Sequence, residues 1–225
     1  MNSSRTATDA PLRRLWDLPT RLFHWVLVGL MIGMIITGNV GGSALDWHAR
    51  LGYALIGTLV FRILWGLVGG YWSRFASFFP TPARLKAHFR GDTRPGHNPL
   101  GALSIFAVIA LLALQLTTGL MATDDILFFG PLNSMVSAEV ADAATRWHKH
   151  LGKLLLLVWV VLHLLAIVWH KRKGHRLLPP MLHGDAELPE AYPESRDSFL
   201  QRLFGIALWA ACLAASFAVL LPLTQ

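Results

Sequence analysis

Charge and cysteine are what this sequence has least of. Asp, Glu, Lys and Arg together make up 15% of its 225 residues while 54% are hydrophobic, whereas a typical soluble domain carries about a quarter charged residues. That shortage excludes an ordinary water-soluble fold of this length. The apolar residues are gathered into long runs rather than spread at amphipathic spacing, and several runs reach the roughly 20 residues a helix needs to cross a bilayer. The chain therefore reads as an integral membrane protein. The single cysteine, Cys212, lies inside one of these runs, which excludes a disulfide framework. Acids are absent from every apolar run, and the formal charge of +7 comes from basic residues in short stretches beside them. That distribution marks cytoplasmic loops and argues against nucleic-acid binding.

Five apolar runs stand at 22–39, 49–70, 100–122, 151–170 and 199–222, and each predicts a spanning helix. The first lacks a small-residue cleavage site and exceeds a usual signal core, so it is kept as a helix. Arg5, Arg13, Arg14 and Arg21 precede it, whereas the connection after it holds only Asp46. The second connection holds Arg74, Arg84, Lys86, Arg90 and Arg94 against Asp92. The third is acidic, with Asp124, Asp125, Glu139 and Asp142 before Arg146, and Lys171, Arg172, Lys173 and Arg176 follow the fourth run. All of these agree with one orientation, the N-terminus cytoplasmic and the end of the fifth helix outside. The stretch 131–144 is less apolar and reads as a short surface helix. Residues 185–197 read as a cytoplasmic linker, with Pro189 and Pro193 among mixed charges.

A coordinating side chain inside a membrane helix is costly to bury and points to function. Of ten histidines, four are set apart by depth: His24 near the inner end of the first helix, His48 at the outer start of the second, and His148 and His163 along the fourth. The fifteen residues from His148 to His163 correspond to about 60° beyond whole turns and a rise of about 22 Å. Both rings can face one groove. The topology then sets His24 level with His163 on the inner side and His48 level with His148 on the outer side. Opposed imidazoles on neighbouring helices are what a bis-histidine haem iron requires, and a bundle interior supplies them. No C-x-x-C-H motif exists, so such haem is held non-covalently. His150 is the rival to His148, although its spacing to His163 turns it about 140° off that face. The other five histidines fall beside cytoplasmic stretches.

A local repeat strengthens the outer pair. Trp47 to Gly52 and Trp147 to Gly152 share W-H-x-x-L-G, with Gly52 and Gly152 one turn below their histidines, where a missing side chain leaves room for a flat macrocycle. Gly29 and Gly33 form a G-x-x-x-G that also fits ordinary helix packing. Arg62 lies fourteen residues below His48, within about 40° of the same face. Its two readings are a partner for a haem propionate and a side chain that snorkels to the cytoplasmic interface.

These residues carry a resemblance. R-L-F-H-W at 21–25, W-H-A-R-L-G at 47–52 with Arg62 beyond it, G-H-N-P-L-G at 96–101, and W-H-K-H-L-G with Leu162-His163 resemble the bacterial cytochrome b561 family and the b-type cytochrome subunit of nickel-iron hydrogenases. The resemblance covers about residues 13 to 180. It implies an all-α fold: a membrane four-helix core binding two b haems on His24, His48, His148 and His163, and exchange of electrons with a membrane quinone. Residues 1–180 are then the di-haem transmembrane domain, and 181–225 a cytoplasmic linker with an additional, fifth transmembrane helix. The expected location is the bacterial inner membrane, in contact with lipid. Six-coordinate haem implies outer-sphere electron transfer. The expected function is a conduit between the quinone pool and a periplasmic-side partner, either a c-type cytochrome or a hydrogenase-type subunit. A superoxide:quinone oxidoreductase acting on its own is an alternative, and a haem-free membrane transporter or scaffold is the alternative of another class. The loop Gly96 to Pro99 reads as a helix start, with a quinone carbonyl site as its second reading.

Overall fold

The computed structural model describes residues 11–91, 95–126 and 128–224. Arg5, Asp92 and Arg94 of the charge pattern lie outside the described residues. A short strand β1 (Leu12–Arg14) leads into α1 (Leu18–Val40) and α2 (Ala44–Val68). Two short helices, α3 (Phe75–Phe78) and α4 (Pro82–Phe89), lead to α5 (Pro99–Met121). Helix α6 (Ala138–Arg146) runs through a π-helical turn at Trp147–Gly152 into α7 (Lys153–Arg172). Helix α8 (Leu178–His183), strand β2 (Asp185–Glu187) and α9 (Phe199–Leu220) complete the chain. Among the described residues, five helices are long and apolar enough to cross a membrane: Leu18–Val40, Ala44–Val68, Pro99–Met121, Ala138–Arg172 and Phe199–Leu223. The architecture is an all-α membrane bundle.

Local chemistry sets the ends of these helices. Asp17 caps α1 by accepting from the Thr20 N–H, Asn98 caps α5 through Gly101, and Ser198 caps α9 through Gln201. Proline occupies the first turn of α1 and of α5, where its missing N–H is harmless. The fourth span starts earlier than its apolar run and contains no break. Its first turns bury Ala141 and Ala144 and leave Glu139, Val140 and Asp142 exposed, so one helix carries both a water-exposed and a lipid-exposed part.

Helix α2 is the centre, packed along α1 on one side and α9 on another. The helical period divides its surface cleanly. Tyr53, Gly57, Phe61 and Trp65 face α9: Ser216 Oγ donates to the Tyr53 carbonyl at 2.7 Å, and Phe61 stacks on Trp209 at 5.1 Å. A Cβ on Gly57 would stand 2.9 Å from the Cys212 carbonyl oxygen, so glycine lets the two backbones touch. His48, Gly52, Leu55, Leu59 and Arg62 share the other face, where Leu55 and Leu59 pack with Leu112, Leu116 and Leu156. Helix α5 meets this face over a short stretch and α7 reaches it through Leu156, and most of α7 is exposed apolar surface, as a lipid-facing helix requires.

The segment read as a linker is structured. Strand β2 pairs antiparallel with β1, Arg13 opposite Ala186. Leu188 is fully buried with Leu15, Trp16 and Trp72. Ser195 Oγ donates to the Leu15 carbonyl at 2.7 Å, Trp72 Nε1 donates to the Pro193 carbonyl at 2.8 Å, and Asp197 joins Arg14 and Arg202. Neither three-residue strand has a hydrophobic pattern to announce it. Tertiary pairing creates them.

Candidate functional site

Four histidines come together in two pairs, the pairs expected from depth. His48 and His148 have ring centroids 5.9 Å apart, and His24 and His163 6.4 Å. Two imidazoles sharing one metal through bonds of about 2 Å place their centroids about 6 Å apart, so both separations have the right size. The π turn improves the register of His163. It takes up one residue, so the fifteen-residue step turns like about fourteen α-helical residues, roughly 40° to one side of a whole turn instead of 60° to the other. His150 is exposed, and the ring that meets His48 is that of His148.

The outer pair is built on a symmetry that reaches beyond W-H-x-x-L-G. His48 Nδ1 lies 3.1 Å from the Met34 carbonyl and His148 Nδ1 2.8 Å from the Gln115 carbonyl. A carbonyl only accepts, so each Nδ1 carries the proton and each Nε2 keeps its lone pair for a metal. Each acceptor stands four residues before a Thr-Gly glycine, Gly38 in α1 and Gly119 in α5. Those glycines seat the rings. A Cβ would stand 2.9 Å from His48 Cε1 at Gly38 and 2.6 Å from His148 Cε1 at Gly119. The preceding threonines also match, Thr37 Oγ1 donating to the Gly33 carbonyl at 2.7 Å and Thr118 Oγ1 to that of Leu114 at 2.8 Å. Nothing local in the sequence marks these seats, because the two Thr-Gly pairs are ten and twenty-nine residues from their histidines. Aligning the two W-H-x-x-L-G copies together with their preceding helices would have found them.

A cavity of about 430 Å³ opens at this pair, lined by His48, His148, Gly38, Gly52 and Gly119, with Lys149, Lys153 and Asn39. A Cβ on Gly52 would meet only Met34, at 3.7 Å. Gly152 differs, since its Cα faces Gln115 and Trp147, and Gln115 Nε2 donates to the His148 carbonyl at 2.9 Å. Its small size lets α5 and the π turn close on each other. In the G-x-x-x-G of α1, Gly33 packs against Leu51 and Gly29 faces open space. Two imidazoles with free Nε2 atoms, glycine seats and an apolar cavity fit a planar bis-histidine macrocycle.

Among the described residues the inner pair has no backbone partner of this kind. His24 Nδ1 is buried without a hydrogen bond. The His163 ring lies parallel to Trp159, 5.2 Å away at 7°, and Trp159 Nε1 donates to Ser104 Oγ at 3.0 Å. Arg62 is at the same end of the bundle and does not reach solvent, being 5% exposed. Its guanidinium covers the Phe75 ring at 4.7 Å and the Phe23 ring at 5.9 Å and donates to the Ser73 carbonyl at 3.2 Å.

An acid lies close to this arginine although none occurs in the apolar runs. Asp17, fully buried, accepts from the Thr20 and Gly70 N–H groups at 2.9 Å each, from Ser73 Oγ at 2.7 Å and from Trp65 Nε1 at 3.2 Å. The D-x-P-T start of α1 signals a cap, but nothing local announces that the same carboxylate ties α1 to the end of α2. In the loop before α5, Asn98 Oδ1 accepts from the Gly101 N–H at 2.7 Å, the helix-start role. His97 is not solvated. It packs between Trp16 at 4.7 Å and Phe78 at 4.6 Å, and burial, with the Arg62 charge second, pushes its imidazole down to about 3.

Comparison with known proteins gives the family. The profile of the prokaryotic cytochrome b561 family matches residues 15–184. The chain is 26% identical to a probable Ni/Fe-hydrogenase B-type cytochrome subunit of Bradyrhizobium diazoefficiens, over 74% of this chain and 82% of the relative. It is also 26% identical to the protein of the same description from Azotobacter vinelandii, over 68% and 79%. No solved structure matches. The family match runs from the cap of α1 to the end of α8, through all four of the paired histidines, and the chain belongs to the prokaryotic cytochrome b561 family, as a membrane b-type cytochrome of electron transfer with haem b as cofactor.

Proposed function

We propose that the chain binds two b haems, one between His48 and His148 on the outer side and one between His24 and His163 on the inner side. It passes electrons between the quinone pool and a redox partner on the periplasmic face. The observation that carries this reading is the outer pair: rings 5.9 Å apart with their planes at 89°, each with Nδ1–H committed to a carbonyl, beside an apolar cavity. Haem supplies reversible one-electron chemistry when bound. The protein's part is to hold the imidazoles in fixed orientation, exclude water, and divide the bilayer thickness into two short steps. Arg62, buried at the inner level, is placed to offset a propionate charge.

The positive flanks of the described helices support an inner-membrane chain with a cytoplasmic N-terminus. On this reading β1, β2 and α8 form a cytoplasmic cap, residues 1–180 are the di-haem domain, and α9 is an added buttress on the far face of α2. The relatives are named as hydrogenase subunits, and that name supports a hydrogenase-type protein as the outer partner. Membership of a cytochrome family sets aside the haem-free transporter or scaffold.

A pyridine haemochrome assay on the purified protein should give two haems per chain, all removable by acid-acetone. H24A or H163A should remove the inner haem alone, and H48A or H148A the outer haem alone, each variant retaining half the haem. One haem per chain in the unaltered protein, or loss of haem in H150A with both retained in H148A, overturns the assignment.

A further inference from the structure

The two histidine pairs differ in what holds their imidazoles. On the outer side both Nδ1–H groups donate to main-chain carbonyls, of Met34 at 3.1 Å and Gln115 at 2.8 Å. On the inner side His24 Nδ1 is buried and unpaired, and among the described residues His163 makes no hydrogen bond. Its ring is held by Trp159, stacked at 5.2 Å and 7° and fixed in turn by Ser104.

An imidazole that donates N–H to a carbonyl becomes a stronger electron donor through its other nitrogen, which favours the oxidised form of a bound metal. A stacked imidazole without that bond is the weaker donor. Hydrogen bonding thus lowers the outer potential, and its absence among the described residues leaves the inner one higher.

We propose that this asymmetry orders the two redox centres, the outer at the lower midpoint potential and the inner at the higher, with Trp159 and Ser104 as positioning residues that fix the plane of the inner imidazole. The ordering rests on the ligation proposed above. One electron entering at the outer pair then moves downhill to the inner pair, the outer centre oxidised and the inner reduced by that same electron.

The test is a potentiometric titration of the haem-replete protein in detergent, followed optically and by low-temperature EPR. Ser104→Ala frees the Trp159 indole, and should shift the largest g-value of one low-spin ferric signal while haem content stays at two. That signal should belong to the higher midpoint. Gly119→Ala places a methyl group 2.6 Å from the present His148 Cε1, moves the ring off the Gln115 carbonyl, and should raise the lower midpoint while the higher one stays. Should Gly119→Ala lose haem, Gly38→Ala makes the same test at His48, where the methyl stands 2.9 Å from Cε1. If the signal moved by Ser104→Ala titrates at the lower midpoint, or the lower midpoint is unmoved in a haem-replete glycine variant, the ordering is wrong. An unaltered protein holding a single haem overturns the ligation and the ordering together, whereas two haems in reverse order overturn the ordering alone.

Discussion

The inner and outer ends of this bundle carry similar histidine pairs but are stabilised by different means. The outer end is an open arrangement of main-chain carbonyls, glycine seats and a cavity whose mouth carries Lys149 and Lys153. The inner end is knotted: Asp17 gathers donors from α1, α2 and the turn after α2, and Arg62 and His97 are buried beside aromatic rings. The outer pair depends on main-chain carbonyls that no side-chain substitution removes, and on two glycines whose replacement would displace the rings. The inner pair depends on side chains, each of which can be removed. The inner end should therefore be the one that mutations and pH uncouple.

The largest effect is expected at Asp17. In Asp17→Asn one oxygen still accepts, but an amide NH₂ is turned among the Gly70 N–H, the Ser73 hydroxyl and the Trp65 indole, all of them donors toward Asp17. Losing charge-assisted bonds in a buried site costs about 3 kcal/mol. With the two haems proposed above, thermal melts in detergent should show a lower midpoint and earlier loss of the inner haem signal, with the outer signal outlasting it. Simultaneous loss of both signals would show that the two ends unfold as one unit and would end the distinction drawn here.

A smaller effect is expected from acid. His97 is held neutral in the folded state, with its value lowered from 6.5 to about 3 by burial first and by Arg62 second. The unfolded chain binds a proton below 6.5 that the folded chain refuses. Stability from this group is complete above pH 6.5 and falls as pH drops toward 3, by about 1.4 kcal/mol per pH unit at most. His97→Phe keeps an aromatic ring between Trp16 and Phe78 and removes the titration. Its melting midpoint should fall less than that of the unaltered protein between pH 7 and pH 5. Equal slopes would place the acid sensitivity elsewhere.

The five spans were legible because long acid-free apolar runs have one physical solution in a bilayer. The histidine pairs were legible because topology converts position along a helix into depth. The glycine seats and carbonyl acceptors were not, since Gly38 and Gly119 serve histidines on other helices and the acceptors are main-chain atoms common to all residues. Asp17 and His97 escaped for a related reason. Each looks like an ordinary helix-start or loop residue until α1, the end of α2 and the residues after α8 converge. The β1–β2 pair is the extreme case, three residues a side joined across 170 positions or more, with no local periodicity to predict them.

The smallest effect concerns the cationic mouth of the outer cavity. Lys149 Nζ reaches the Thr123 carbonyl at 3.4 Å and Lys153 Nζ reaches Asn39 Oδ1 at 3.5 Å, so both ammonium groups rest on neutral acceptors while their residues stay exposed. Neutral acceptors leave their charge uncompensated, and on the proposed orientation positive charge on an outer face runs against the usual loop bias. Two roles fit: holding the propionates of the outer haem, or drawing an anionic donor toward it. The roles separate by salt. Steering is a long-range effect that fades as the Debye length shrinks to about 8 Å at physiological ionic strength, whereas a propionate contact is short and partly buried. In Lys149→Gln with Lys153→Gln, steering predicts electron entry from an anionic donor slowed about threefold at low salt, converging with the unaltered protein at high salt, with haem content unchanged. A shifted outer midpoint with no salt-dependent difference in rate would assign the lysines to the propionates. Rates identical at every salt concentration, with both midpoints unmoved, would leave the outer end dependent on its backbone alone, the sharpest form of its contrast with the inner end.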